Sequence, residues 1–281
     1  MSDQQIMRAS GLLVIEVVNS NPNGDPDRES DPRQRPDDRG EISPVSYKRK
    51  LRDLVESKDG PVWQEIGKGL AADEFAILES RNRDRALIKE ELKNNQFIRK
   101  YWDARLFGNT FLEEGASTSI KTGVVQFGLA VSIAPINIER MTNTNKAGVQ
   151  DGKDRGMAPL GYRIVPHGVY CMPFFVNPTA ATKSGCTQQD IDLMLKLIPY
   201  AYPHTASYVR PFVGLRHAWY MTHKSALGSC SDFALISALM PKKAADPEKP
   251  SKSWEEYTAP TKLPEELRAR IGSIRDLMDA Q

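Results

Sequence analysis

The side chains most able to do chemistry are cations that share one arc. Lys48, Arg49 and Arg52 lie in the run Tyr47-Lys48-Arg49-Lys50-Leu51-Arg52. At helical spacing they adjoin the apolar stripe of Tyr47, Leu51, Leu54 and Val55. Three cations on one arc match the sequence-independent charge of a nucleic-acid backbone. The alternative is a solvated face bridged to Asp53 or Glu56. Upstream lies the polar stretch Asn19-Ser20-Asn21-Pro22-Asn23-Gly24-Asp25-Pro26-Asp27. Its carboxylates Asp25 and Asp27, with Asp31, have the chemistry to hold a cation or to assist RNA cleavage, although their Pro-rich setting and neighbouring arginines suit ordinary loop carboxylates. A second polar stretch, Met141 to Gly161, carries Asn143, Thr144, Asn145 and Lys146, whose amide, hydroxyl and ammonium groups suit phosphate and ribose. Near Arg155, Met157 offers an apolar wedge of the kind that unstacks bases; its alternative role is to staple the loop to its own domain.

Other chemistries have little to stand on. His167, His204, His217 and His223 are the only histidines, and none has metal-ligand spacing. Cys171, Cys186 and Cys230 are odd in number and far apart, which fits reduced, mostly buried thiols rather than disulfides or zinc ligands. Neither a phosphate-binding Walker loop, nor GxGxxG, nor GxSxG occurs. Neither metal nor cofactor is expected. Lys and Arg number 38 against 36 Asp and Glu, a formal net charge of +2, so a basic surface must arise by local segregation. The start Met1-Ser2-Asp3-Gln4-Gln5 lacks the basic-then-apolar layout of a signal peptide, and no apolar run is long enough to span a membrane, so a cytoplasmic location is expected.

These residues need elements to position them. Leu12 to Val18 is short and rich in β-branched residues, which predicts a central strand. The loop from Ser20 to Ile42 then leads to Ser43-Pro44, an N-cap followed by Pro at the first helical position, and a helix running to about Ser57. From Gly60 to about Thr110 the pattern is helical and charged, an inserted subdomain. Alternation from Gly123 to Ile133 predicts a strand with odd positions (Val125, Phe127, Leu129, Val131, Ile133) on the core and a small, polar even face open to another chain's backbone. A third strand is expected around Gly168 to Met172. A helix follows the capping box of Thr187 and Asp190, with Ile191, Met194, Leu195 and Ile198 on one stripe. Arg216 to His223 supplies the last strand. The order βαββαβ predicts an α+β fold with an antiparallel, ferredoxin-like or RRM-like sheet. Phe127, the one aromatic of the second strand, falls on the core face, which disfavours base stacking on the sheet as in an ordinary RRM.

The segment NSNPNGDPDRESDPRQRPDDRGEISPVSYKRKLRD resembles the major backbone subunit of type I-C CRISPR Cascade complexes, a member of the RAMP superfamily. The resemblance implies an RRM-like palm (1–59 and 111–240), a helical fingers insertion (60–110) and a thumb loop (141–161); a C-terminal helical segment (241–281) is expected to follow. It implies a non-catalytic protein that polymerises head to tail along a CRISPR RNA beside other Cascade subunits, with target DNA engaged through the guide and no membrane. By position, Asn19, Asn21 and Asn23, with Ser46, Lys48, Arg49 and Arg52, would hold the guide backbone. The thumb would flip out a base at intervals, with Met157 as wedge. Type III relatives cleave RNA with an aspartate in the same loop, which keeps open a metal-dependent ribonuclease using Asp25 or Asp27.

Overall fold

The computed structural model of the chain describes residues 5–80, 85–94, 96–109, 122–145 and 158–279. Its first strand, β1 (Ala9–Ser20), is apolar at both parities because both of its faces are covered. Leu13, Ile15 and Val17 enter the main core, while Leu12 and Val14 enter a second core on the opposite side. A short hairpin follows, β2 (Gly24–Asp25) with β3 (Asp31–Pro32), and then the edge strand β4 (Arg39–Ile42). Helix α1 (Pro44–Glu56) starts as its sequence predicts: the Ser43 hydroxyl accepts from the Ser46 amide at 3.1 Å, and Pro44 fills the first turn.

The stretch after α1 is helical, with α2 (Pro61–Ile66), α3 (Arg85–Lys93), α4 (Gln96–Lys100) and α5 (Trp102–Phe107). Leu78, Ile88, Leu92, Phe97, Tyr101 and Ala104 form a small core of their own. Trp102, Leu106 and Phe107 of α5 instead join the main core. Two buried ion pairs fasten this helical region: Arg52 to Asp103 at 2.8 Å and Arg105 to Asp190 at 2.7 Å.

Strands β5 (Val125–Phe127), β6 (Ala130–Pro135), β7 (Glu139–Asn145) and β8 (Ala158–Val176) come next. They are followed by α6 (Ala181–Ser184), α7 (Gln188–Leu197) and β9 (Val213–His223). The chain closes with α8 (Asp232–Leu239), the pair β10 (Lys242–Lys243) and β11 (Tyr257–Thr258), α9 (Glu265–Arg268) and β12 (Ile271–Asp276). The sheet runs β12-β9-β1-β8-β6-β4, with β5 and β7 also paired to β8, and its pairings are antiparallel. The fold is α+β, as the sequence predicts, and the expected strands stand in the order fourth, first, third, second. Tyr47, Leu51 and Leu54 of α1 and Ile191 and Met194 of α7 pack into the same core, on one face of the sheet. Gly11 makes room on that face: a Cβ there would overlap the ring of Phe174, which is stacked against Phe127 at 5.1 Å.

Three expectations need correction. The strand from Gly123 to Ile133 is broken at Gly128 and Leu129, and the break reverses its phase. Val125 and Phe127 are buried, but beyond the break it is Ala130, Ser132 and Ala134 that are buried while Leu129 is exposed. No open even face remains, because the second side of the sheet is itself covered. Leu235, Leu239, Tyr257, Leu263 and Ile271 pack there against Leu12, Val14, Val169 and Trp219. That cover comes from α8 and from the expected C-terminal helical region 241–281, whose described residues contain, besides the four-residue α9, only one 3-10 turn at Trp254–Glu256. Prolines at 247, 250, 260 and 264 interrupt helical hydrogen bonding, and Ile271–Asp276 pairs with β9 instead. Thirdly, the stretch expected as a loop from Met141 to Gly161 begins and ends as paired strands, in register from Glu139 opposite Ile164 to Asn145 opposite Ala158.

Buried polar groups anchor the C-terminal cover. His223 accepts from the Ser229 amide at Nδ1 (3.0 Å), which leaves Nε2 to donate to Asp232 at 3.0 Å. Asp232 also accepts from Ser10 and Arg8, both at 2.5 Å. Burial works against its ionisation, but these hydrogen bonds and the Arg8 charge outweigh burial and hold the carboxyl below its ordinary 3.8. Asp276 is depressed in the same way against its own burial, by His217 and the amides of Ala218 and Met278. A carboxylate depressed in the folded state contributes stability above its unfolded value, and the contribution is lost as pH falls through the folded value. Urea midpoints measured downward from pH 6 should therefore fall steeply below about pH 4. The Asp232→Asn, Asp276→Asn double variant should start lower and fall less; an unchanged slope would contradict these assignments.

Candidate nucleic-acid interface

The loop after β1 is fixed onto the start of α1. Asn19 is exposed at the end of β1 with φ +44°, a left-handed conformation that asparagine tolerates better than most residues. Asn21 is buried; its Nδ2 donates to the Ser30 carbonyl at 2.7 Å, and its Oδ1 is buried without a hydrogen-bond partner. Asn23 accepts from the Ser43 amide at 2.7 Å and so ties the loop to the N-cap of α1. Ser46, half-buried, sits in the first turn. Asn19, Asn21, Asn23 and Ser46 thus belong to one corner of the molecule.

The α1 cations point elsewhere, into the helical region. Arg49 reaches the Glu79 carbonyl and lies 3.4 Å from Asp53 and 3.8 Å from Glu56, the local bridging that was its alternative reading. Arg52, its side chain only 10% exposed, pairs with Asp103 and lies over the Phe107 ring. Lys48 is half-buried above the same ring at 5.2 Å, and burial, then the Arg52 charge, lowers its pKa. Arg49 and Arg52 are engaged in holding the fold, so these three side chains do not make one open phosphate-binding arc.

A different cationic surface stands at the root of the β7–β8 ribbon. A cleft of about 410 Å³ is lined by Asn21, Gly24, Pro26, Glu29, Ser30 and Asp31 from the loop after β1, by Arg140, Gly161, Tyr162 and Arg163 from the ribbon, and by Val209 and Arg210 from the turn before β9. Arg140 and Arg163 are exposed, and Arg163 pairs with Asp31. Arg210 donates through Nε to the Asn21 carbonyl at 3.0 Å. Lys50 lies behind, bonded to Thr205 at 2.9 Å, and burial and then the Arg210 charge push its pKa down to about 8, against the pull of Asp53. None of Arg140, Arg163 and Arg210 stands out by helical periodicity, because each comes from a strand or a turn. The interleaving of rings and cations in Gly161-Tyr162-Arg163 and Tyr208-Val209-Arg210-Pro211-Phe212 was the available signal.

The remaining candidates divide. Backbone pairing places Asn143, Thr144 and Asn145 in β7, while Lys146, Arg155 and Met157 lie outside the described residues. Asp25 accepts from the Asp27 amide at 3.2 Å and lies 3.8 Å from Arg33. No group of three His, Cys, Asp or Glu side chains converges among the described residues, and none of the described helices is long and apolar enough to cross a membrane. Burial pushes the Cys171 thiol up to about 12 and raises Cys186 as well.

An antiparallel α+β sheet with a ribbon rising beside an arginine-lined cleft has the chemistry to hold an extended anionic chain. The chain belongs to the CRISPR-associated protein Cas7 family, whose model matches residues 7–262. In fold it is similar to a solved chain titled "CRISPR RNA-guided surveillance complex, pre-nicking", at 14% identity and TM-score 0.50, over 77% of this chain and 78% of that one. Another, titled "CRISPR RNA-guided surveillance complex", matches at 17% identity and TM-score 0.46, over 83% and 75%. No curated protein sequence matches the chain.

Proposed function

We propose that this chain is the non-catalytic, guide-binding backbone subunit of a type I-C Cascade complex. It coats the spacer part of a CRISPR RNA in the cytoplasm, copy after copy head to tail, beside other Cascade subunits. Guide bases stay available to pair with target DNA, so base pairing reads sequence while protein holds backbone. The observation that carries this reading is the convergence of Arg140, Arg163 and Arg210 on the loop after β1, in a chain of the Cas7 family. Asn19 and Ser46 extend that surface along the corner between β1 and α1. Residues 60–110 act as fingers and 141–161 as thumb, with Met157 as the wedge.

The competing reading is a metal-dependent ribonuclease using Asp25 or Asp27. Incubating the protein with single-stranded RNA in magnesium separates the two. Intact RNA is expected with the wild type and with Asp25→Ala alike. Shortening by the wild type that Asp25→Ala abolishes would transfer the assignment to the nuclease.

A further inference from the structure

The cleft at the ribbon root has an aromatic border whose cost in water calls for a ligand. Tyr162 lines it, and its ring meets that of Tyr208 edge to face, with centroids 5.4 Å apart. Tyr208 is 59% exposed and Phe212 62% exposed, both in the turn that supplies Arg210. Backbone hydrogen bonds hold that turn against β1 and the loop after it, Val18 donating to the Phe212 carbonyl at 3.0 Å and Asn21 to the Val209 carbonyl at 2.7 Å, while Arg210 closes the turn on itself by donating to the Ser207 carbonyl at 2.9 Å. The Phe212 amide donates to the Ser20 hydroxyl at 3.0 Å. Large rings are thus presented to solvent on a pinned segment, beside three arginines.

Asn21 provides the second, independent observation. It lines the cleft, is about 95% buried, and keeps its Oδ1 without a hydrogen-bond donor. A buried acceptor left unmade is costly, and a hydroxyl or amine arriving with a ligand relieves it. The three features ask for three things in one molecule: a planar π-face for the tyrosines, an anion for the guanidinium groups, and an O–H or N–H for Asn21. A peptide supplies them only piecemeal. One nucleotide of single-stranded RNA supplies all three through its base, its phosphate and its ribose or amino group.

We propose that this cleft is a nucleobase-stacking subsite, in which one base of the bound RNA lies on Tyr208 while Arg140, Arg163 and Arg210 hold the adjoining phosphate. The subsite rests on the RNA-binding reading above and adds base contact to what the sequence alone suggested was backbone holding.

The test compares a short oligouridylate with its abasic counterpart by fluorescence anisotropy. The wild type should bind the oligouridylate about tenfold more tightly, the scale of one base stacked on an aromatic side chain. Tyr208→Leu, an exposed substitution, should lose that preference and bind both RNAs at the abasic level. Tyr208→Trp should keep it. Binding of both RNAs by the wild type with no preference, or a preference that survives Tyr208→Leu, overturns the subsite and leaves RNA binding standing. Failure of the wild type to bind either RNA overturns the RNA-binding reading and the subsite with it.

Discussion

Replacing Arg140, Arg163 and Arg210 together with glutamine should weaken single-stranded RNA binding by about a hundredfold at low salt while leaving the protein folded. Each guanidinium–phosphate contact is a charge-assisted hydrogen bond, and three of them, discounted for solvent screening, add to about 3 kcal/mol. The dependence of log affinity on log salt should flatten by about 0.7 for each contact removed, the single-strand increment. Folding should survive for local reasons. Arg140 is exposed, and the exposed partner in the Arg163–Asp31 pair makes that pair worth at most about 1 kcal/mol. Arg210 gives up one hydrogen bond to the Asn21 carbonyl, about 1 kcal/mol. Salt-titrated anisotropy reads both quantities; unchanged affinity and slope would remove the cleft from the RNA path. The corresponding α1 variant, with Lys48, Arg49 and Arg52 all replaced by alanine, is expected to lose stability, because it leaves Asp103 buried beside only the Leu78 and Glu79 amides.

Loss of Arg105 should be the most damaging single change to the fold. Its guanidinium donates to Asp190 at 2.7 Å, to the Ile98 carbonyl at 2.9 Å and to the Glu74 carbonyl at 2.9 Å, and the two side chains are 7% and 1% exposed. Asp190 also caps α7 by accepting from the Thr187 amide at 2.8 Å, so one carboxylate serves two elements. Removing one partner of a buried pair costs about 3–5 kcal/mol, a large share of a typical total of about 5–15. Arg105→Met should lower the urea midpoint by about 1 M or more, whereas Arg99→Met, which removes an exposed pair with Glu74, should shift it by about a tenth of that. Equal shifts would contradict the ranking.

Legibility of the fold in the sequence followed the range of the forces involved. The cap at Ser43-Pro44, the capping box of Thr187 and Asp190 and the stripe on α1 are set by neighbours within one helical turn, so they were readable. The doubly buried β1 was readable too, since seven residues from Leu12 to Val18 with one charge have no solvent face. The phase reversal at Gly128 and Leu129 was not, because a bulge is imposed by the partner strand rather than by the strand's own alternation. The C-terminal segment was misread for a related reason: β12 exists only because β9 offers it an edge.

The site was legible in kind and less so in its members. That an amide-rich corner follows the first strand came directly from the polar loop. Which cations face outward did not, since Arg52 and Arg105 owe their burial to Asp103 and Asp190, 51 and 85 residues away. Arg140, Arg163 and Arg210 meet only because the β7–β8 ribbon and the turn before β9 both converge on the loop after β1.

The central claim, a subunit that coats RNA, is met most directly by light scattering on nuclease-treated protein, alone and with single-stranded RNAs of increasing length in magnesium. Mass that rises in equal steps with RNA length, with the RNA intact and the steps lost at high salt, is the predicted result. A mass that ignores RNA at every length and salt would contradict it.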